Sequence, residues 1–345
     1  MKRVVYLALL VIMVTGVVIA PSIGCRGEEK VKEVEKVKEA REIALGTGVV
    51  ADAPLDALTR GLVFAIKKQV PEFHITTHEN PGGTNEAIRD INRYDFCGVS
   101  VDKAAQAYYG FYEWEGHARP QLRLLWVMWR LPISFIAAAD TGIESIYELD
   151  GKAVGSGEPG SMTEFKAMKL FKALGIEPDW HQDNWEAQLD LYRKGELVGL
   201  VKEGAPDPTL VECAKERPFT VLDISEADLS QANQHYGGTG LVFPACLLRP
   251  DIYPGQGEMV TTCGLMFGYF TRADVSAEVA YKLVGAAYAE LWDLSKCYAP
   301  MSLDIIGFPK LTMEQSPFPL HPGAIKLYEG MKLKVPSHLV PPELR

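Results

Sequence analysis

Cysteine is scarce in this chain of 345 residues: six are present and no two form a C-x-x-C pair. That spacing excludes a zinc ribbon or finger, and a chain this long has no need of a disulfide scaffold. Setting aside Cys25, an odd number remains (Cys97, Cys213, Cys246, Cys263 and Cys297), best read as small buried hydrophobes. Basic excess is missing as well. Lysine and arginine total 35 against 45 acidic residues, a net charge of −10. A phosphate-binding surface needs the opposite balance, so nucleic acid is not expected as a partner. Catalytic signatures are also lacking. No G-x-S-x-G elbow, Walker loop or H-E-x-x-H occurs, and no carboxylate pair can be given acid and base roles. The expectation is a protein that is not an enzyme and uses no cofactor. His74 and His78 stand four apart on a strand-like segment without a third ligand, so no metal is expected there. His321, in "PLHPGA", reads as the start of a helix with Pro322 in its first turn.

What is present begins at the N-terminus. Lys2 and Arg3 precede a run without charge, Val4 to Gly24, which ends in Ser22-Ile23-Gly24-Cys25. This resembles a lipoprotein signal, with residues 1–24 removed and Cys25 the lipid attachment site, although Ser22 stands where an aliphatic residue is usual. Ordinary cleavage and an uncleaved membrane helix from Val4 to Ala20 are the alternatives. Each places the rest of the chain outside the cytoplasmic membrane. Residues 25–41 follow as a tether: Arg26 to Glu42 holds six acidic and six basic residues and little to bury.

From Glu42 the chain alternates between strand and helix patterns. "EIALGTG", "FHITTHE" and "DFCGVSV" read as strands, with helices at "DALTRGLVFAIKKQV", "NEAIRDINR" and "KAAQAYYGF". Two apolar strands follow, "LRLLWVMW" and "ISFIAAA". A second series runs through "KAVGSG", a helix from Met162 to Leu174, "LVGLVKE" and a helix from Pro208 to Lys215. "TTCGLMFGYFT" is a late strand, followed by one long helix, "SAEVAYKLVGAAYAELWDL". Repeated β-α units predict an α/β fold with mostly parallel sheets and ligands beyond the carboxyl ends of the strands. Two series with a late return strand predict two lobes, residues 42–135 and 136–254, with 255–345 returning to the first and a cleft between them. Within the second series, "GSGEPG" (155–160) matches the dinucleotide pattern G-x-G-x-x-G. A nucleotide also needs a buried second strand ending in an acidic residue, and "IEPDWHQDNWE" is too polar for one.

Six segments in order then resemble the TAXI-type solute receptors of TRAP transporters, a branch of the type II periplasmic binding proteins. They are "IALGTG", "PGGTNEAIRDI", "GKAVGSGEPGSMTE", "EGAPDPTLVECA", "YPGQGEMVTTCG" and "PFPLHPGAIKLYEG". The resemblance implies a receptor that closes over a small organic acid or amino acid, such as glutamate or a 2-oxo acid, and hands it to a TRAP membrane subunit. It places Thr47 and Gly48, Thr84 and Asn85, Ser100, Gly160, Ser161, Met162 and Thr163, and Pro206 in the ligand shell. Glycine turns and helix starts suit an anion, because their backbone N–H groups face outward. Thr84 and Ser161 are equally good helix caps, and Ser161 with Glu164 spells a capping box.

Where members of that family carry glycines and an aromatic after the first strand, this chain has Ala51 to Leu55, including Asp52. Met162 replaces the second residue of the usual Ser-Gly pair, and Met128-Trp129-Arg130 replaces a Tyr-Pro-Glu. Asp52 would repel a carboxylate or attract an ammonium group, and Arg130 offers a fork that fits a carboxylate. Trp129 reads either as a stacking platform or as a core residue. Rival readings are a lipoprotein of an ABC importer, a ligand sensor, and an enzyme on the same fold using Cys246 or Cys263.

Overall fold

A computed structural model describes residues 40–47, 54–80, 83–297 and 302–345. The expectations for the signal, for Cys25, for the tether up to residue 39, and for Gly48 and Asp52 lie outside the described residues. The first series is β1 (Arg41–Thr47), α1 (Pro54–Gln69), β2 (Phe73–Glu79), α2 (Gly83–Arg89), β3 (Phe96–Ser100) and α3 (Val101–Tyr109). After β4 (Leu122–Ala138) comes the second: β5 (Ala153–Gly155), α4 (Met162–Leu174), β6 (Asp179–His181), α5 (Trp185–Arg193), β7 (Gly199–Glu203), α6 (Pro208–Glu216), β8 (Phe219–Val221), α7 (Glu226–His235) and β9 (Ala245–Leu248). The chain returns through β10 (Val260–Arg272) and closes with α8 (Ala277–Ala289), α9 (Leu291–Cys297), α10 (Ser302–Ile306), α11 (Phe308–Gln315) and α12 (Pro322–Gly330).

Strands follow the order β2-β1-β3-β10-β4-β7-β5-β6, with β9 on β10 and β8 on β4. The first half is parallel from β2 through β3 and the second from β7 through β6, as the β-α repeats predict, and antiparallel β4 and β10 join them. The α/β, two-lobed architecture is therefore as expected, but the lobes share one strand path. Along β4 the partner changes: Gly264 of β10 faces Pro132, and from Ile133 onward β7 takes over. Along β10, β9 ends at Cys263 and β3 begins at Phe267. These two long strands are the crossing between the halves.

Two sequence expectations need correction. The pair of apolar strands is the single 17-residue strand β4. Proline's φ fits an extended chain, and Pro132 falls where one ladder ends and the next begins, so its missing N–H is not demanded there. The long helix after β10 is two helices, parted at Glu290, whose carboxylate accepts from Lys68 Nζ at 2.8 Å and Gln69 Nε2 at 2.5 Å. In addition, "IEPDWHQDNWE" does supply a strand, β6, but a three-residue edge strand that is partly exposed.

Packing follows the period-2 alternation of β4. Ile133, Phe135 and Ala137 enter one core with Val154, Leu170 and Phe171, while Ile136 and Ala138 enter another with Tyr192, Leu200 and Leu210. The first half has its own core, including Leu45, Phe96, Trp126 and Tyr269. Each fully buried side chain of this size contributes about 1.5–3 kcal/mol. Helix starts follow local sequence: Ser161, Asn184, Asp207, Ser225 and Ser276 each accept a backbone N–H three residues on.

Candidate ligand-binding cleft

The halves face one another through α3 and the following turn on one side, and α4 and residues 236–243 on the other. The Tyr112 ring meets the Phe165 ring edge-on at 4.9 Å, and its hydroxyl lies 3.5 Å from Thr239 Oγ1. Gly240, with φ at +72°, lies against α3, where a Cβ would come within 2.9 Å of the Ala105 carbonyl carbon. Only glycine tolerates both conditions. The Lys169 ammonium sits 5.1, 5.4 and 5.9 Å from the ring centres of Tyr112, Phe165 and Tyr236, and desolvation there lowers its pKa.

At the centre lies an ion pair that the sequence reading missed. Lys166 of α4 and Asp102 of α3 are both wholly buried, with Lys166 Nζ 3.0 Å from Asp102 Oδ1. Lys166 Nζ also donates to the carbonyls of Val242 (2.6 Å) and Gly264 (2.8 Å). Asp102 Oδ2 accepts the Met266 N–H at 3.1 Å. Gly264 and Met266 belong to the stretch of β10 between its β9 and β3 ladders, so the pair occupies the gap where the strand changes partners. Besides the Met266 N–H, the Lys166 ammonium and the Val242 N–H favour the ionised form of the carboxylate. Burial pushes the Asp102 carboxyl above its usual range, and the lysine charge opposes that shift. In sequence Asp102 passes for an acidic residue in the first turn of α3, and Lys166 for the solvent side of an amphipathic helix. Neither has a local signal that distinguishes it.

The residues expected from sequence fall into three groups. At the top of the first half, Ser100 caps α3 by accepting Lys103 N–H, and its own N–H donates to Thr84 Oγ1 at 3.3 Å. Asn85 Nδ2 donates to Glu113 at 2.7 Å, whereas Asn85 Oδ1 is buried without a partner. Thr47 ends β1 opposite Gly98 of β3, its carbonyl accepting both the N–H (3.0 Å) and Nδ2 (2.8 Å) of Asn80.

The second group opens α4. Here the "GSGEPG" amides meet the protein's own acceptors: Gly160 N–H donates to Glu164 Oε2 at 2.7 Å and Gly157 N–H to Gln188 Oε1 at 3.0 Å. Ser161 Oγ caps the Glu164 N–H at 3.1 Å, and Thr163 Oγ1 donates to Glu203 at 2.6 Å. Met162 is buried in the core of the second half. The Gly160 amide thus meets an internal carboxylate, and those of Gly157 and Ser156 meet the Gln188 side chain and the His181 carbonyl. Pro206 is exposed, behind a cis peptide just before α6.

The third group sits at the crossing. Trp129 is buried in a parallel stack on Phe267 at 5.1 Å, a core position, with its Nε1 lacking a hydrogen-bond partner. Arg130 does make a two-pronged carboxylate contact, but with Asp304: Nε at 3.0 Å, Nη2 at 2.6 Å, and a third bond from its backbone N–H at 2.8 Å. Its Nη1 reaches the Ala245 carbonyl at 2.8 Å. Among the described residues no cluster of three or more His, Cys, Asp or Glu is placed to hold a metal ion.

Two halves joined by two crossing strands, with an interface between paired helix starts, define the fold of the periplasmic binding proteins. A TctC solute binding protein from Polaromonas, solved without ligand, aligns over 76% of this chain and 88% of its own at 14% identity and a TM-score of 0.53. MatC from Rhodopseudomonas palustris, solved with malate, aligns over 84% and 95% at 14% identity and a TM-score of 0.47. A probable amino-acid ABC transporter binding protein from Bacillus subtilis aligns over 76% and 98% at 10% identity, also at 0.47. The chain belongs to the NMT1-like family, whose family model matches residues 57–331. No curated protein matches it significantly. None of these similarities names the TAXI class that the sequence resembles.

Proposed function

We propose that the protein is an extracytoplasmic receptor that captures a small organic acid or amino acid by closing its two halves, then delivers it to a membrane permease. One observation carries this reading: oppositely charged, fully buried groups meet across the interface at the crossing of β4 and β10, where opening the halves separates them. The permease is that of a TAXI-type TRAP system, by the sequence resemblance, and Cys25 anchors the receptor to the membrane. Thr84, Asn85, Ser100, Gly160, Ser161 and Thr163 form the rim of the closed cleft in this reading. Binding, not turnover, is the activity. The cysteines of the enzyme alternative are poor nucleophiles, since burial pushes Cys263 up to about 12 and Cys246 higher still, so neither is a thiolate near neutrality.

A thermal-shift screen of the purified chain against amino acids, 2-oxo acids, dicarboxylates and aromatic acids tests the proposal. A solute at about a hundred times its dissociation constant stabilises by about 2.7 kcal/mol, so a true ligand gives a clear upward shift. No shift with any member of the panel removes the receptor reading. A TRAP membrane subunit encoded beside the gene supports the TAXI assignment, and an ATPase with its permease supports the ABC alternative.

A further inference from the structure

Tyr112, in the turn after α3, occupies a backbone position that a tyrosine does not favour. Its φ is +58°, in the left-handed region, where a Cβ costs free energy and glycine has none to lose. Such a residue persists only where its surroundings fix it, and the turn is fixed from within the first half. Phe111 N–H donates to the Gln106 carbonyl at 2.9 Å, and the Glu113 carboxylate takes Lys103 Nζ at 2.8 Å and Asn85 Nδ2 at 2.7 Å. Trp114 closes the turn by entering the core of that half. The Tyr112 side chain points the other way, onto the Phe165 ring, Lys169 and Thr239 of the second half. With Tyr236 these residues form a receptacle in which the Lys169 ammonium is desolvated and met by the rings of Tyr112, Phe165 and Tyr236.

We infer that Tyr112 is a latch that holds the two halves closed over an empty cleft, its ring seated in the receptacle of Phe165, Lys169, Tyr236 and Thr239. This rests on the receptor reading above, since a latch has meaning only for halves that separate. The bonds that fix the turn lie within the first half, so opening leaves them intact and the ring is always presented in one place. What the tyrosine adds over the glycine that this backbone favours is its ring, and the ring's contacts are made across the interface. Edge-to-face rings and an ammonium over aromatic faces attract at close range without a bond that must be broken. Each contact is weak, so the latch biases the halves toward closure and still lets them part. A solute must then enter through the minor open form, and the latch sets the rate of capture.

Chemical footprinting of the full chain in detergent, with no ligand added, tests the latch. Lys166 is wholly buried between the halves and becomes accessible when they part. Cys97 and Cys213 lie in the separate cores of the two halves and react only if those cores open. Acetylation of Lys166 by an N-hydroxysuccinimide ester and alkylation of the two thiols by N-ethylmaleimide are followed by peptide mass spectrometry. Tyr112→Gly, which suits the backbone and removes the ring, should speed acetylation of Lys166 about tenfold or more while both thiols keep their wild-type rates. Tyr112→Phe, which keeps the ring, should stay close to wild type. Should Tyr112→Gly loosen the turn itself, Phe165→Ala changes only the receptacle and carries the test, with the same rise expected. Lys166 rates unchanged in both Tyr112→Gly and Phe165→Ala, or rises matched at Cys97 and Cys213, would overturn the inference. Either result leaves the receptor reading standing, because that reading stands or falls on the thermal-shift screen.

Discussion

Arg130 has the chemistry of a carboxylate-binding residue, and its fork is filled by Asp304, a partner 174 positions away in sequence. Its side chain is 30% exposed and that of Asp304 16%, and the pairing raises the arginine pKa through the Asp304 hydrogen bonds. Arg130→Ala should therefore act on stability, leaving Asp304 partly buried without its cation. The expected loss is about 2 kcal/mol, below the 3–5 kcal/mol of fully buried pairs because water reaches both groups. Urea unfolding of the variant measures it, and a midpoint equal to wild type would show that the pair contributes nothing. The sequence supplied the residue type here but not its partner. Asp102 and Lys166 illustrate the same limit, since what distinguishes them is total loss of water, a property of the packed interface and not of any local pattern.

Among elements, helix starts were the most legible, because a cap is a bond within four residues. His321 is one of them. Its Nδ1 accepts the Gly323 N–H at 3.1 Å and its Nε2 lies 2.9 Å from the Val275 carbonyl, which the neutral ring with hydrogen on Nε2 satisfies. Burial lowers the pKa of His321 below its ordinary 6.5. The unfolded chain therefore takes up the proton first as pH falls. The stability held by the neutral ring is complete above about pH 6.5 and is lost as pH drops below that value through the depressed folded one. Urea midpoints measured from pH 8 to pH 5 should fall for wild type and fall less steeply for His321→Asn, which keeps a cap without a titrating ring. Equal slopes would refute the assignment. The crossing strand β10 offers a second element-scale test. An added Cβ at Gly268 would lie 2.2 Å from the Trp126 carbonyl oxygen in β4, a backbone atom that cannot swing aside. Gly268→Ala should lower stability by about 2 kcal/mol or more, read from its unfolding midpoint. The two strands read at residues 122–129 and 133–139 are one, with Pro132 inside it, because a proline's cost depends on whether a neighbouring strand demands its N–H, and only the register shows that.

For the molecule as a whole, β4 and β10 contribute to the cores of both halves. Neither half keeps its sheet if the other loses these strands. Denaturant unfolding should accordingly be one cooperative transition, with tryptophan fluorescence and far-ultraviolet dichroism coinciding. The probes span both halves, Trp114 and Trp126 in the first and Trp180 and Trp185 in the second. Two separated transitions would show halves that fold independently.

The sequence by itself determined the order of β-α units, the helix caps, the apolar faces of β4 and the late return strand, all readable from spacings of two to four residues. It also carried the resemblance to a solute receptor. Only the tertiary structure decided which charged groups are spoken for: Asp304 for Arg130 and Asp102 for Lys166. The physical reason is that a charge's role depends on its partner and its access to water, and for Arg130 and Lys166 both are set by segments far apart in sequence that meet only in the folded chain.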